Sequence, residues 1–335
     1  MEENLNNKYK SVLDFLYYAS SSLCREYNIE ITIDILPPLE LNAYVYQDSI
    51  EENKYHIKLY AGCLCLAYPI GQIIARFEED DLPFFSYVKD FNIFETDERD
   101  SYIETFINMF SSVILLHIFF HECGHIIAGH VKRDRQRFEF DNDREGSYEQ
   151  QETEIVADWI STKYTLISFL NAINNEGSKI PDEEVTVYIK QLILLFWLSL
   201  SIEFQLFDDK QINKTIENSK RTHPLPSVRL FNCTEATAES VYDYLFMRGL
   251  DKSAATKVTD NLIASMSMMF LIFQSNMETP LFDELFSIKT IDYYILLREI
   301  PLSYDVERKY WHLSQLSSQY REKAEQYISM LNSSQ

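Results

Sequence analysis

Apolar residues recur mostly at steps of three and four along this chain, and only short segments alternate between apolar and polar positions. The helical spacing predicts helices near residues 5–27, 61–76, 100–132, 150–172, 182–207, 224–248, 253–275 and 304–331. Alternation from Glu30 to Ile35, followed by Pro37 and Pro38, predicts a strand near 30–36, and further strands are predicted near 42–47 and 54–60. These patterns predict an α+β fold, predominantly α-helical, with a small N-terminal β-sheet.

One of the predicted helices carries a candidate metal-binding motif. The apolar stretch from Ser111 to His130 contains the sequence His-Glu-Cys-Gly-His at residues 121–125. Positions four apart lie on one face of a helix, so His121 and His125 can present both imidazoles to a single ion. Glu122, one step around the helix, can reach a water on that ion. This arrangement is typical of a zinc-dependent hydrolase.

The next predicted helix offers a third ligand. Catalytic zinc usually has three protein ligands, and a Glu on another helix is a common third one. Glu154 and Asp158 are four residues apart, so Glu154 can complete the set while Asp158 fixes the tautomer of either motif histidine. The small Ala157 suits a close helix approach. The alternative is that Glu152, Glu154 and Asp158 form the solvated face of an amphipathic helix.

A third motif begins at Thr222 and His223. The following Pro224 and Pro226 suit the first turn of a helix, and Arg229 falls about two turns beyond His223. The alternative is that His223 is an ordinary loop histidine before a proline.

Three residues on or beside the motif helix could be mistaken for ligands. His117 shares the face of His121, but we interpret it as a satisfied or partly buried histidine. We expect His130 to lie off the ligand face. Cys123 points about 200 degrees around the helix from His121, and we interpret it as a small core residue.

The motifs, in their order along the chain, resemble those of gluzincin metallopeptidases of the CAAX prenyl protease and HtpX group. The matching segments are NAYVY at 42–46, YHIKLY at 55–60, HExxH at 121–125, ExxAD at 154–158 and THPxxxxR at 222–229. The short interval from His125 to Glu154 is more like that of the compact soluble relatives and of the phage-exclusion protease Lit. The resemblance covers about residues 30 to 235.

This resemblance implies a zincin-like metallopeptidase core at residues 1–240. Residues 241–335 lie outside the resemblance, and their apolar spacing predicts a helical C-terminal region packed on the core. The resemblance implies that His223 donates a hydrogen bond to the oxyanion of the tetrahedral intermediate and that Arg229 supports the site. It also implies that Asn42 contacts the substrate, which such proteases bind along a sheet edge.

The motifs together predict a zinc-dependent endopeptidase that hydrolyses a protein or peptide substrate. His121, His125 and Glu154 would hold Zn2+, and Glu122 would be the general base for the water that the zinc activates. One alternative is a non-catalytic or sensor protein that binds a partner through its helical surface. The other is a Lit-like phage-defence protease activated by infection. A protease of this kind would need narrow specificity, or an activator or inhibitor protein, to restrain it.

Charge and composition narrow the setting. The formal net charge of -22 argues against nucleic-acid binding, because phosphate contacts depend on Lys and Arg patches. Five cysteines without a C-x-x-C pair, and an acidic N-terminus without signal-peptide features, indicate a reducing cytoplasm. The apolar run Leu192 to Ile202 is shorter than the ~18 residues that a membrane span needs, and Val113 to Phe120 leads directly into the ionisable motif. No membrane span is therefore predicted.

Overall fold

The computed structural model describes residues 2–38, 42–65, 67, 71, 99–131, 148–176, 182–212, 223–224 and 226–262. Its elements are α1 (Glu2–Tyr27), β1 (Glu30–Leu36), β2 (Ala43–Gln47), β3 (Lys54–Tyr60), α2 (Ala61–Cys65), α3 (Arg99–Ile127), α4 (Tyr148–Glu176), α5 (Asp182–Ile212) and α6 (Pro226–Met247). A further helical segment covers 252–262. The predicted fold class is confirmed: the protein is α+β and mostly helical, with a small N-terminal sheet followed by several helices.

The three strands form a mixed sheet in the order β1-β3-β2. β1 runs parallel to β3, and β2 runs antiparallel to it. Ile33 and Val45 both pair with Ile57, and all three side chains are buried. The alternation seen in the sequence therefore gives the sheet one apolar face that packs in the core. β2 is an edge strand, and it packs on α3.

The helix α3 is in contact with most of the fold. It packs most extensively on α4 and also contacts α5, β2 and β3, while α6 packs on α4 and α5. Phe110 and Phe119 of α3 and Phe196 and Phe204 of α5 are fully buried. Burying one such side chain contributes roughly 1.5–3 kcal/mol. Apolar packing of this kind fixes the helices whose polar residues form the candidate site.

Within the part of the chain that the structure describes, one helical stretch is long and apolar enough to span a membrane by length and composition. This stretch is Phe106–Ile127 of α3. In the structure, 72% of its apolar window is buried inside the protein. Contacts with α4, α5 and the sheet thus account for the apolar character of α3.

Helix ends differ from the sequence-based prediction. The motif helix was predicted to reach residue 132, but α3 ends at Ile127 because Gly129 takes a left-handed conformation with φ of 71°. α4 and α5 extend beyond their predicted ends at 172 and 207, to Glu176 and Ile212. The last turns of α4 and α5 are mostly polar, so the apolar periodicity that predicts a helix ends before the helix itself.

Several predicted features lie outside the described residues. They are the helix at 304–331, residues 263–275 of the preceding helix, and most of the helix predicted at 61–76 beyond α2. The division into a core at 1–240 and a C-terminal region at 241–335 stays a prediction.

Candidate metal centre

A close approach between α3 and α4 assembles the candidate site. Gly124 has no side chain, and a Cβ built on it would lie 2.9 Å from both the Cα and the carbonyl oxygen of Ala157. Real Cβ atoms essentially never come within 3.0 Å of another heavy atom, so this approach depends on glycine. The two motif histidines flank Gly124 on α3, and the two acids of α4 flank Ala157. The crossing point therefore sets the distance between the two sets of side chains.

His121, His125 and Glu154 form a compact, buried group of ligand atoms. The ligand atoms of the three residues all lie within 4.8 Å of one another. His121 Nε2 is 3.1 Å from Glu154 Oε2 and 3.2 Å from His125 Nε2, and His125 Nε2 is 3.6 Å from Glu154 Oε1. Ligands in a tetrahedral zinc site with bonds of about 2.0–2.1 Å lie roughly 3.3–3.4 Å apart. The observed separations are close to that spacing.

Asp158 contacts the ring nitrogen of His121 that faces away from the ligand group. His121 Nδ1 lies 2.8 Å from Asp158 Oδ1, so its other ring nitrogen faces the ligand group. Arg229 donates to Asp158 through Nε at 2.7 Å and through a terminal nitrogen at 2.6 Å. Burial raises the pKa of Asp158, but the charge and hydrogen bonds of Arg229 and the bond from His121 outweigh burial and hold the pKa well below its usual value. Asp158 is therefore a carboxylate that accepts from both neighbours.

The buried acids of α4 exclude the alternative of a solvated face, since Glu154 is 8% exposed and Asp158 is 0% exposed. Burial raises the pKa of Glu154, but the nearby histidines His223, His125 and His121 hold it well below its usual value. Glu154 is therefore ionised and able to bind a cation.

The two motif histidines differ in their proton affinity. Burial lowers the pKa of His121, but hydrogen bonds to Asp158 and Glu154 outweigh burial and raise it to about 10. Burial lowers the pKa of His125 to about 3. In the metal-free protein His121 is thus protonated and His125 neutral, and a metal ion bound by both would have to displace the proton of His121.

Glu122 is buried, and its carboxyl is close enough to His121 and Glu154 to interact with both electrostatically. Among the described residues its Oε2 has no hydrogen-bond partner, and burial raises the pKa of its carboxyl to about 7. A buried carboxyl with a free oxygen and a pKa near neutrality can accept a proton and release it again.

His223 lies at the rim of the cluster. Its Nε2 is 3.4 Å from Glu154 Oε2, and 46% of its side chain is exposed. Arg229, which the same motif contains, is buried and pairs with Asp158. The motif therefore supplies one residue that contacts Glu154 and one that contacts Asp158.

Asn42 is placed by the sheet. Its carbonyl oxygen accepts from the Tyr60 amide at 3.0 Å and from the Cys63 thiol at 3.2 Å, and its side-chain oxygen accepts from the Ala43 amide at 3.0 Å. It lies directly before the edge strand β2, which packs on α3. Its contact with a substrate stays a prediction.

The residues that were predicted not to be ligands fall into two groups. Cys123 is fully buried in the core. His117 is also fully buried, and its Nδ1 lies 2.8 Å from Glu203 Oε1 on α5. His130, in contrast, contacts the site: its Nδ1 lies 3.1 Å from Nδ1 of His125. It lies outside the ligand group, as expected, but its contact with His125 was not predicted from the sequence.

Two further residues near the site were not predicted from the sequence. Phe204 of α5 lies under the guanidinium of Arg229, whose Cζ is 4.3 Å from the ring centroid, and the ring edge of His117 meets the same phenyl ring. Glu203 fixes His117 from the same helix. No local pattern marks either residue, because α5 is apolar on nearly all faces and these contacts join distant parts of the chain.

The donor set fits a divalent metal such as zinc. Two imidazoles and a carboxylate converge, the acid is ionised, and the buried carboxyl of Glu122 interacts electrostatically with His121 and Glu154. Comparison with protein-family models, with curated proteins and with solved structures finds no match to this chain. What is established is a His-His-Glu group suited to a metal, carried on helices that follow a small sheet.

Proposed function

We propose that this chain is a zinc-dependent endopeptidase of the gluzincin type that cleaves a protein or peptide substrate in the cytoplasm. The observation that carries the proposal is the convergence of His121, His125 and Glu154 beside an unpartnered, buried Glu122. The order of the sequence motifs supports the same class.

Each polar side chain of the site has a separate role in the proposed reaction. When bound, the zinc ion supplies a Lewis acid that polarises the scissile carbonyl and lowers the pKa of the attacking water towards ~7. Glu122 accepts the proton of that water at its carboxylate and passes it to the leaving amine nitrogen. His223 donates a hydrogen bond to the oxygen of the attacked carbonyl as negative charge develops there. Asp158 keeps the His121 ring in the tautomer that directs Nε2 towards the metal.

The alternative of a non-catalytic, partner-binding metal protein accounts for the ligands but not for Glu122. A structural zinc site needs four ligands and no base. Burying a carboxyl oxygen without a partner costs about 1–3 kcal/mol. That cost is understandable where the carboxyl performs chemistry, and this favours catalysis. A Lit-like protease activated by infection would use the same site and differ in its trigger.

A comparison of three forms of the protein tests the proposal. We expect wild type and Glu122→Gln, purified without chelators, each to hold about one zinc per chain, because Glu122 is not a ligand. Labelling of new protein N-termini in expressing cells should reveal cleavage with wild type and none with Glu122→Gln. Glu152→Gln, the same change at a partly exposed acid on α4, is the matched control and should behave as wild type.

The outcomes distinguish the peptidase from the partner-binding metal protein. Wild type without zinc would refute the metal site. Zinc in all three forms with no new N-termini in any of them, with or without phage infection of the cells, would refute the peptidase and leave the partner-binding protein. If Glu152→Gln rather than Glu122→Gln abolished cleavage, the assignment of the general base would be wrong.

A further inference from the structure

His130 lies where the second ring nitrogen of His125 needs a partner. His125 directs Nε2 towards His121 and Glu154. Its other nitrogen, Nδ1, lies 3.1 Å from Nδ1 of His130, and the two rings meet edge to face at a centroid distance of 5.3 Å. A metal-bound histidine commonly donates this second N-H to an acceptor that fixes the ring. His121 has such an acceptor in Asp158, and the corresponding position beside His125 is taken by a histidine.

The end of α3 holds His130 in this position. The His130 amide donates to the His125 carbonyl at 2.9 Å, and the Gly129 amide donates to the Ile126 carbonyl at 3.0 Å. With Gly129 in the left-handed conformation, these two bonds form a Schellman motif, which brings the residue after the glycine against a residue in the last turn of the helix. In most proteins that contact is apolar. Here it joins two imidazoles.

We propose that His130 is a positioning residue that fixes the tautomer and orientation of His125 for metal binding. His125 donates from Nδ1-H, and His130 accepts at Nδ1 through its neutral tautomer. The inference rests on the proposed metal site and adds a residue to it. His130 does not itself ligate the metal, because its nearest ring nitrogen is engaged by the nitrogen of His125 that faces away from the ligand group.

The first test compares two substitutions of His130. In His130→Asn, the side-chain oxygen takes the place of Nδ1 and can still accept, whereas His130→Leu has a similar size and no acceptor. We expect His130→Leu to weaken zinc binding by ~10–100-fold, as loss of such a partner usually does, and His130→Asn to stay within a few-fold of wild type. Competition with a chromophoric chelator measures the affinity. His56→Leu removes another partly buried histidine, one paired with Asp48 beside the sheet, and is the control.

The second test displaces His130 by changing the backbone at Gly129. A matched change at another helix end separates this effect from a general loss of stability. Gly249 ends α6 with the same pair of hydrogen bonds and with φ of 91°, and a Cβ at Gly129 or Gly249 would meet nothing within 4 Å. Valine at either position is therefore strained by the backbone alone. Both Gly129→Val and Gly249→Val should lower the melting temperature of the metal-free protein. Only Gly129→Val should weaken zinc binding, because it displaces His130.

A spectroscopic measurement reports on the hydrogen bond directly. In the Co2+-loaded protein, the exchangeable N-H protons of ligating imidazoles give strongly shifted NMR signals. Wild type should show one for His121 and one for His125, and His130→Leu should lose or broaden only the second. Equal zinc affinity and both signals in His130→Leu would overturn the inference while leaving the metal site intact. Two metal ions per chain, with one lost in His130→Leu, would instead make His130 a ligand. A wild type that binds neither zinc nor Co2+ would refute the proposed function and this inference with it.

Discussion

The sharpest perturbation of the fold that also reaches the site is Gly124→Ala. Alanine is the better helix former, and in a helix exposed to solvent the change would stabilise by about 1 kcal/mol. Here the new Cβ would lie 2.9 Å from the Cα and the carbonyl oxygen of Ala157, against the 3.4 Å at which ordinary contact begins. Both atoms belong to the backbone of α4, so the clash is relieved only if the helices separate.

The size of the effect follows from the two opposing contributions. Overpacking of this kind costs about 1–3 kcal/mol, and subtracting the helix preference leaves a net loss of roughly 0–2 kcal/mol in the free energy of unfolding. Separation of the helices by about half an ångström would also move Glu154 away from His121. Metal sites tolerate deviations of only about 0.2 Å in ligand distance, so the loss of zinc affinity should exceed what the stability change suggests.

Chemical unfolding of the metal-free protein and zinc competition measure the two effects separately. Gly71→Ala is the matched control, because its Cβ would meet side-chain atoms, Phe110 Cδ1 at 3.1 Å and Ile107 Cγ2 at 3.3 Å, as its nearest contacts. It should keep wild-type zinc affinity. Adding Ala157→Gly to Gly124→Ala should not restore binding, since the clash involves backbone atoms. Wild-type stability together with wild-type zinc affinity in Gly124→Ala would refute the reasoning.

Four further predictions concern the site itself. Asp158→Ala should weaken zinc binding by ~10–100-fold without abolishing it, whereas Glu154→Ala should lose it, and equal affinities in competition assays would contradict this ranking. His223→Phe should keep zinc content and substrate affinity but lower turnover by ~100-fold or more, and loss of the metal would make His223 a ligand instead. Because the pKa of His121 is raised to about 10, zinc binding at pH 8 should release about one proton, and zinc affinity should rise with pH up to about 10. The raised pKa of His121 also stabilises the metal-free protein. This contribution to the free energy of unfolding is fully present below pH 6.5, the pKa of an unfolded histidine, and is lost as the pH rises through about 10. Chemical unfolding at a series of pH values measures it.

Parts of the site that depend on helical spacing could be predicted from sequence. The step from His121 to His125, and that from Glu154 to Asp158, each place two side chains on one helix face whatever the rest of the chain does. Ala157 signalled a close approach, but the glycine opposite it is what permits that approach. The helix end at Gly129 was also readable, and applying the Schellman pattern would have placed His130 against His125.

Other parts could not be predicted because they depend on tertiary packing. Glu203 meets His117 across 86 residues of sequence, and Phe204 lies under Arg229 only because α5 packs between its neighbours as it does. Spacing likewise left open whether Asp158 supports His121 or His125. The relative rotation of α3 and α4 decides this in favour of His121, and no local pattern encodes that rotation.

The balance of buried charge explains why this site suits a divalent cation. Arg229 pairs with Asp158, whereas the described residues that pair with Glu154 are the histidines His121, His125 and His223. The carboxylates Asp158 and Glu154 raise the pKa of His121 to about 10 in the metal-free protein. The proton that His121 therefore holds makes both of its ring nitrogens donors, one towards Asp158 and one towards Glu154. A divalent ion in its place adds one net positive charge to the site. A nearby positive charge lowers the pKa of a carboxyl, and the carboxyl that sits near neutrality without a partner is that of Glu122. A metal ion bound by His121, His125 and Glu154 would therefore lower the pKa of the Glu122 carboxyl, the direction that its proposed role as general base requires.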